Sequence, residues 1–392
     1  MEKRPKRTVV LISTYFLAYI MLGMTTATLG PSLPHLAANV GTSLKGISSL
    51  FIAHRLGYMT GSFGGGRLYD RVGGNRLMAG MLLIMVAGMV AAPVVQILGI
   101  LTALFFLLGA AEGTVDVGGN ILLVWTRPPK IGSLMNTLHL FFGLGALISP
   151  LILAQVIRRT AGIRWGYWLI AGLIVPIALF LLPQESPQPV PAPEPGSARR
   201  GRLLLPLLIA AFFFLHVAAE SSYGAWIYTY ALTKKLAGQV SAGYLTSSFW
   251  GAFTLGRAAT IFLALKVNAK TQLGGSVVGA FFSLLVLMIW SDSVAAVWAA
   301  TIAYGFSLAG LFPGSMTLAS EHLHMTGGIT GFFLVGSSLG AMVVPWLIGQ
   351  FFESVGPQVF PAFLTAAIAS SMVILAVILT ILRRRSTAEA AP

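Results

Sequence analysis

Twelve apolar runs, each of membrane-spanning length, leave this chain few folds to choose from. A helix needs about 20 predominantly apolar residues to cross the hydrocarbon core of a bilayer. The runs lie near 8–37, 43–68, 75–95, 98–126, 133–158, 163–183, 203–232, 239–266, 271–291, 293–320, 326–353 and 357–382. The ninth and tenth abut, and their division is placed at Ser291-Asp292-Ser293. The fold expected is all-α, with twelve transmembrane helices in two pseudo-symmetric six-helix bundles.

Composition supports a membrane class. Of 392 residues, 56% are hydrophobic and 9% charged, against about 25% charged in soluble proteins. A net charge of +14 on a soluble chain would suggest nucleic acid. Here the basic residues sit mainly in short loops and tails, which speaks for topology and against a nucleic-acid partner. The segments on the N-terminal side of the bilayer, including Arg67, Arg71, Arg76, Arg127, Lys130, Arg199, Arg200 and Arg202, hold seventeen of the 25 lysines and arginines. By the positive-inside rule both termini are expected in the cytoplasm of a cell-membrane protein. The basic start, Met1 to Arg7, precedes an apolar run too long for a signal-peptide core, so it reads as a tail on a retained first helix. With no cysteine, disulfides, thiolate chemistry and zinc–sulfur sites are excluded.

The one long connection, 184–202, alternates prolines from Pro187 to Pro195 and ends in Arg199-Arg200. Alternate prolines favour an extended chain. The expected organisation is a bundle over 1–183, a cytoplasmic linker over 184–202, and a second bundle over 203–392 with a basic tail. The bundles repeat weakly. Gly145-Ala146-Leu147-Ile148-Ser149-Pro150 matches Gly340-Ala341-Met342-Val343-Val344-Pro345, while Gly109 and Gly118 match Gly305 and Gly314. Internal repeats holding substrate between them are the architecture of secondary transporters.

Polar residues inside the spans carry the chemistry. Glu112, Asp116 and Asn120 stand at i, i+4 and i+8 of the fourth run, so one helix face carries all three. A carboxylate at a helix centre in the bilayer costs about 2.5–3.5 kcal/mol on insertion scales. The stripe must face protein or water. It serves either as interhelical hydrogen-bond glue or as part of a substrate or ion pathway. Arg55, Glu220 and Arg257 fall at similar depth, which makes Asp116, Glu112, Glu220, Arg55 and Arg257 the candidate ion-coupling set. In it, Asp116 or Glu220 binds the cation and exchanges partners with Arg55 or Arg257; a static salt bridge is the alternative for the arginines. Sugars are held by amides and carboxylates on their hydroxyls and by aromatic rings on their apolar faces. Candidate substrate contacts are Asn120, Asn136, His139, Tyr223, Trp226 and Trp250, with core packing as the alternative for the aromatics. His54 reads as a packed or lipid-interface histidine. Neither a nucleotide motif, a metal cluster nor a nucleophile triad is readable, so neither a cofactor nor an enzyme activity is expected.

Two resemblances sharpen this. The loop from Gly66 through Asp70-Arg71 to Gly73 resembles the signature loop of the major facilitator superfamily. That resemblance implies a conformational lock in which Asp70 accepts hydrogen bonds from helix ends and arginines of the facing half, with Gly66, Arg71 and Gly73 completing the turn. Asp116-Val117-Gly118-Gly119-Asn120 resembles the fourth-span pattern of the fucose permease family, which implies proton coupling at Asp116 with Asn120 near the sugar. Residues 120–125, 135–143, 220–231 and 249–257 look more like the sodium-dependent glucose transporter-like branch. The function expected is symport of a sugar or polyol with a proton or sodium by a monomeric carrier in the bilayer. The alternative is proton-driven export of hydrophobic or amphipathic compounds, which would need a mostly apolar cavity.

Overall fold

A computed structural model describes residues 3–126, 131–188, 203–263, 266–323, 325 and 327–389. Most of the expected linker, with Arg199, Arg200 and Arg202, lies outside the described residues, as do Arg127 and Lys130.

Among the described residues the chain is helical throughout, without a strand. The elements are α1 (Lys3–Asn39), α2 (Leu44–Ile47), α3 (Ser49–Tyr69), α4 (Gly74–Ala91), α5 (Leu98–Trp125), α6 (Ile131–Thr160) and α7 (Arg164–Leu181). They continue with α8 (Leu204–Thr233), α9 (Gln239–Leu263), α10 (Ala269–Ile289), α11 (Val294–Leu308), α12 (Leu311–His322), α13 (Gly327–Phe352) and α14 (Val359–Glu389). Each expected run is a helix or a pair. The second run holds α2 and α3, and the tenth holds α11 and α12.

Local chemistry explains the boundaries. The Ser293 side chain accepts from the Ala296 N–H and caps α11, so the ninth and tenth runs part where the sequence divides them. Asn268 caps α10 by accepting from Thr271 N–H at 2.9 Å. Between α11 and α12 the chain passes Gly310, and Pro313 follows two residues into α12. Proline has no N–H to return to the preceding turn, so the ladder breaks there.

Ten of these stretches are long and apolar enough to cross a membrane, α11 and α12 counting as one. The α3 and α9 helices, of 21 and 25 residues, have the length to span but are diluted by polar residues and glycine. Large apolar side chains such as Leu107, Leu255, Phe262 and Val373 are exposed along the helices. That surface suits hydrocarbon and not water.

The residues form two compact units. The first is Met1–Ala192 with Gly224–Gly251. In it α1 packs on α6, α3 on α5 and α4 on α7, and α1 also meets the later half of α8. A Cβ on Gly30 would lie 2.3 Å from the Gly224 carbonyl oxygen. The second unit is Pro193–Tyr223 with Ala252–Pro392, where α10 packs on α11 and α14.

The weak repeat has a packing job. A Cβ on Gly145 would lie 2.0 Å from the Ile20 carbonyl oxygen, and one on Gly340 would lie 2.0 Å from that of Phe214. The α1–α6 crossing of the first unit is thus remade as α8–α13 in the second, 195 residues later (340 − 145). Gly61 and Gly256 share that offset (256 − 61 = 195), against Ala110 of α5 and Phe306 of α11. Small residues at these crossings let backbones meet where lipid offers no hydrophobic drive.

Candidate functional site

The α5 stripe forms as its spacing requires, and α1 and α3 supply its partners. Glu112 is fully buried. The Thr26 hydroxyl donates to its Oε2 at 2.8 Å, and His54 Nε2 lies 3.1 Å from the same oxygen. Glu112 Oε1 is buried with no hydrogen-bond partner. One turn on, Asp116 is half-buried. Its Oδ1 accepts from the Tyr19 hydroxyl at 2.7 Å and its Oδ2 from the Tyr58 hydroxyl. Tyr19 also lies 2.6 Å from the Asp116 carbonyl oxygen, and its single proton serves one acceptor at a time. Asn120 Nδ2 donates to the Tyr19 hydroxyl at 2.7 Å and to the Asp116 carbonyl at 2.9 Å. The His139 ring stands edge-on to Tyr19 at 5.8 Å.

Glycines make this reach possible. A Cβ on Gly109 would lie 2.0 Å from the His54 carbonyl oxygen, and one on Gly113 2.2 Å from that of Tyr58. The two partners on α3, His54 and Tyr58, therefore hang from backbone that touches α5 directly.

Arg55 does not sit on an acid. Its guanidinium covers the Tyr58 ring at 5.7 Å, and neither Glu112 nor Asp116 forms an ion pair with it among the described residues. Where the sequence suggested acid–arginine pairing in the first bundle, histidine, threonine and two tyrosines surround the acids. His54, read from sequence as a packing residue, is the group nearest the Glu112 carboxylate on α3.

Asn136 is exposed on α6. Trp226 is fully buried, its ring 6.0 Å from Phe51, and Trp250 is buried beside Phe249 and Gly224. In the second unit, Glu220 is half-buried, Arg257 covers the Phe253 ring at 4.6 Å, and Tyr223 is fully buried. The Tyr223 hydroxyl is 2.7 Å from Thr301 Oγ1, and its ring packs on Tyr304 and Phe360.

In the loop after α3, Gly66 is half-buried, while Asp70, Arg71 and Gly73 are exposed. Asp70 ends α3 and makes no side-chain hydrogen bond among the described residues. What the sequence did not single out is Asn75, fully buried at the start of α4. Its Oδ1 accepts from Tyr15 at 2.7 Å. Its Nδ2 donates to the Glu185 carbonyl and its N–H to Ser186 Oγ, both at 2.9 Å.

The model of the Major Facilitator Superfamily matches residues 15–345. The chain belongs to that superfamily. As a major facilitator it is a multi-pass membrane transporter and not an enzyme. It is 30% identical to a mouse (Mus musculus) protein named sodium-dependent glucose transporter 1A, over 85% of this chain and 88% of that one. Its identity to the Xenopus laevis sodium-dependent glucose transporter 1 is 29%, over 93% and 80% of the two chains. Among solved structures, the facilitator superimposes on a bacterial homologue of the human lysosomal transporter Spinster with a TM-score of 0.73, at 10% identity and 96% coverage of both chains. Against the nucleoside transporter NupG the TM-score is 0.74, at 11% identity, over 94% of this chain and 98% of that one. These likenesses establish the fold.

Proposed function

We propose that this facilitator carries a sugar or polyol across the cell membrane together with a cation, by alternating access. The bundles at 1–183 and 203–392, joined by the linker 184–202, would expose the substrate to one side and then the other, with both termini in the cytoplasm and a single chain as the working unit. Relatives named as sodium-dependent glucose transporters support the substrate class.

One observation carries the reading: the half-buried Asp116 carboxylate is held by two phenol hydroxyls, with the Asn120 amide alongside. Phenol donors occupy the places that sugar hydroxyls would take. Exchanging one O–H···O⁻ bond for another keeps the acceptor satisfied, and an unsatisfied buried acceptor is the costly state. A polyol can therefore displace Tyr58 or Tyr19 without leaving the carboxylate bare. His139 and Asn136 of α6, with Tyr223, Trp226 and Trp250, complete the proposed substrate contacts. Asp116, Glu112, Glu220, Arg55 and Arg257 are assigned to coupling. Asp70, with Gly66, Arg71 and Gly73, is assigned to the lock.

The test is uptake into proteoliposomes with a panel of hexoses, pentoses and polyols under separately imposed proton and sodium gradients. Uphill accumulation of a sugar is expected, and Asp116→Asn and Glu220→Gln are each expected to abolish it. If both variants keep full ion-driven accumulation, the coupling assignment is wrong. Extrusion of lipophilic dyes without sugar flux would instead mark an exporter.

A further inference from the structure

We propose that the end of the first unit opposite the Asp70 loop binds an anionic phospholipid, its phosphate held by Arg158, Arg159 and Arg164 and an acyl chain lying along α7. Such a site is independent of the cargo. Arg158 and Arg159 close α6, and Arg164 opens α7. The turn between them is fixed by its own hydrogen bonds. The Ala161 N–H donates to the Ile157 carbonyl at 2.9 Å, and the Thr160 hydroxyl lies 2.9 Å from the Val156 carbonyl oxygen and 3.2 Å from that of Gly162. All three arginines are exposed, and among the described residues none pairs with a carboxylate. The sequence says why. Residues 1–183 contain only Glu2, Asp70, Glu112 and Asp116 as acids. Glu2 precedes α1, Asp70 ends α3 and the other two lie inside α5, so no acid of this bundle stands at the turn. Like charges this close repel unless an anion sits among them, and the arginine fork matches phosphate in shape as well as charge.

Below the arginines the surface is apolar and open. Trp165, Leu169 and Leu173 stand at i, i+4 and i+8 of α7 and so share one face. All three are exposed, Trp165 by 59%. Gly172 beside them has nothing within 4 Å of where a Cβ would stand. Helix α4 packs on α7 and forms the other wall. There the Trp168 Nε1–H donates to the Val90 carbonyl at 3.1 Å, and the Val90 side chain is exposed. The Arg164 guanidinium covers the Trp168 ring at 5.9 Å, so charge and apolar groove meet at one side chain. Tryptophans at a membrane boundary sit at headgroup level, which puts the arginines at the depth of lipid phosphates. A free phosphate would use the arginines alone. A phospholipid uses both the arginines and the α7 stripe, and a zwitterionic headgroup would bring a cation of its own against them.

The experiment titrates the purified full chain in detergent with phosphatidylglycerol and with phosphatidylcholine of matched acyl chains, and counts bound lipid by native mass spectrometry. The wild type is expected to prefer phosphatidylglycerol. Basic residues at a membrane surface each contribute about fivefold to the binding of anionic lipid. Arg164→Gln is therefore expected to weaken phosphatidylglycerol by about that factor, and Arg158→Gln with Arg159→Gln and Arg164→Gln to bring the two lipids to parity. Lys235→Gln, which removes a charge from the turn after α8, is expected to leave the preference unchanged. Inorganic phosphate at the same concentration is expected not to displace the lipid. Equal binding of both lipids by the wild type overturns the proposal, as does a preference that survives the triple substitution. Displacement by inorganic phosphate overturns it too, marking a free-anion site.

Discussion

Tyr58 is a sharp test at the scale of single residues, because one hydroxyl separates it from phenylalanine. Tyr58→Phe keeps the ring beneath Arg55 and removes a donor from Asp116 Oδ2. Hydrogen bonds to charged groups are worth about 1.5–3 kcal/mol. Substrate affinity is therefore expected to change by about tenfold or more with folding intact; an unchanged KM in the uptake assay would remove Tyr58 from the site. Asn75 has a structural role, joining α1, the start of α4 and residues 185–186. Asn75→Ala leaves buried groups unpaired, at about 1–3 kcal/mol. It is expected to lower the thermal unfolding temperature in detergent while Asp116 keeps its partners. The stripe of Glu112, Asp116 and Asn120 was legible from spacing alone. Thr26, His54, Tyr19 and Tyr58 were not, since periodicity says which face a residue occupies and never which helix lies opposite. The pairing expected for Arg55 failed for the same reason: depth was readable, direction was not.

Among elements, the α3–α5 seam sets how closely the acids and their partners meet. Gly61 and Gly256 occupy matching crossings in the two units, but added Cβ atoms would lie 1.9 Å and 2.6 Å from the facing carbonyl oxygens. Overpacking costs about 1–3 kcal/mol. Gly61→Ala is accordingly expected to destabilise more than Gly256→Ala when both are unfolded thermally in the same detergent. Equal shifts would mean that the two seams relax alike. The glycine repeat was visible at 145 and 340, and the second pair, at 61 and 256, became visible only through the packing. The boundary at Ser293 was legible because a cap acts locally. The break inside the tenth run was missed, as apolarity continues across it.

For the whole molecule, orientation follows from charge and is open to direct measurement. The chain has no cysteine, so an introduced one is a unique label. Lys235→Cys, on the exposed turn after α8, is expected to react with an impermeant maleimide in intact cells. Val72→Cys, exposed in the loop after α3, is expected to react only after permeabilisation. The reverse pattern would invert the topology. Sequence alone determined that this chain crosses a membrane many times, that its halves echo one another, and that one helix carries acids on a single face. Those properties are one-dimensional: run length, repeat offset and a 3.6-residue period. Only the tertiary structure decided that phenols hold Asp116 while Glu112 keeps one oxygen bare beside His54. That difference arises from which helices touch, and glycines on α5 permit a contact that no periodicity within a single helix encodes.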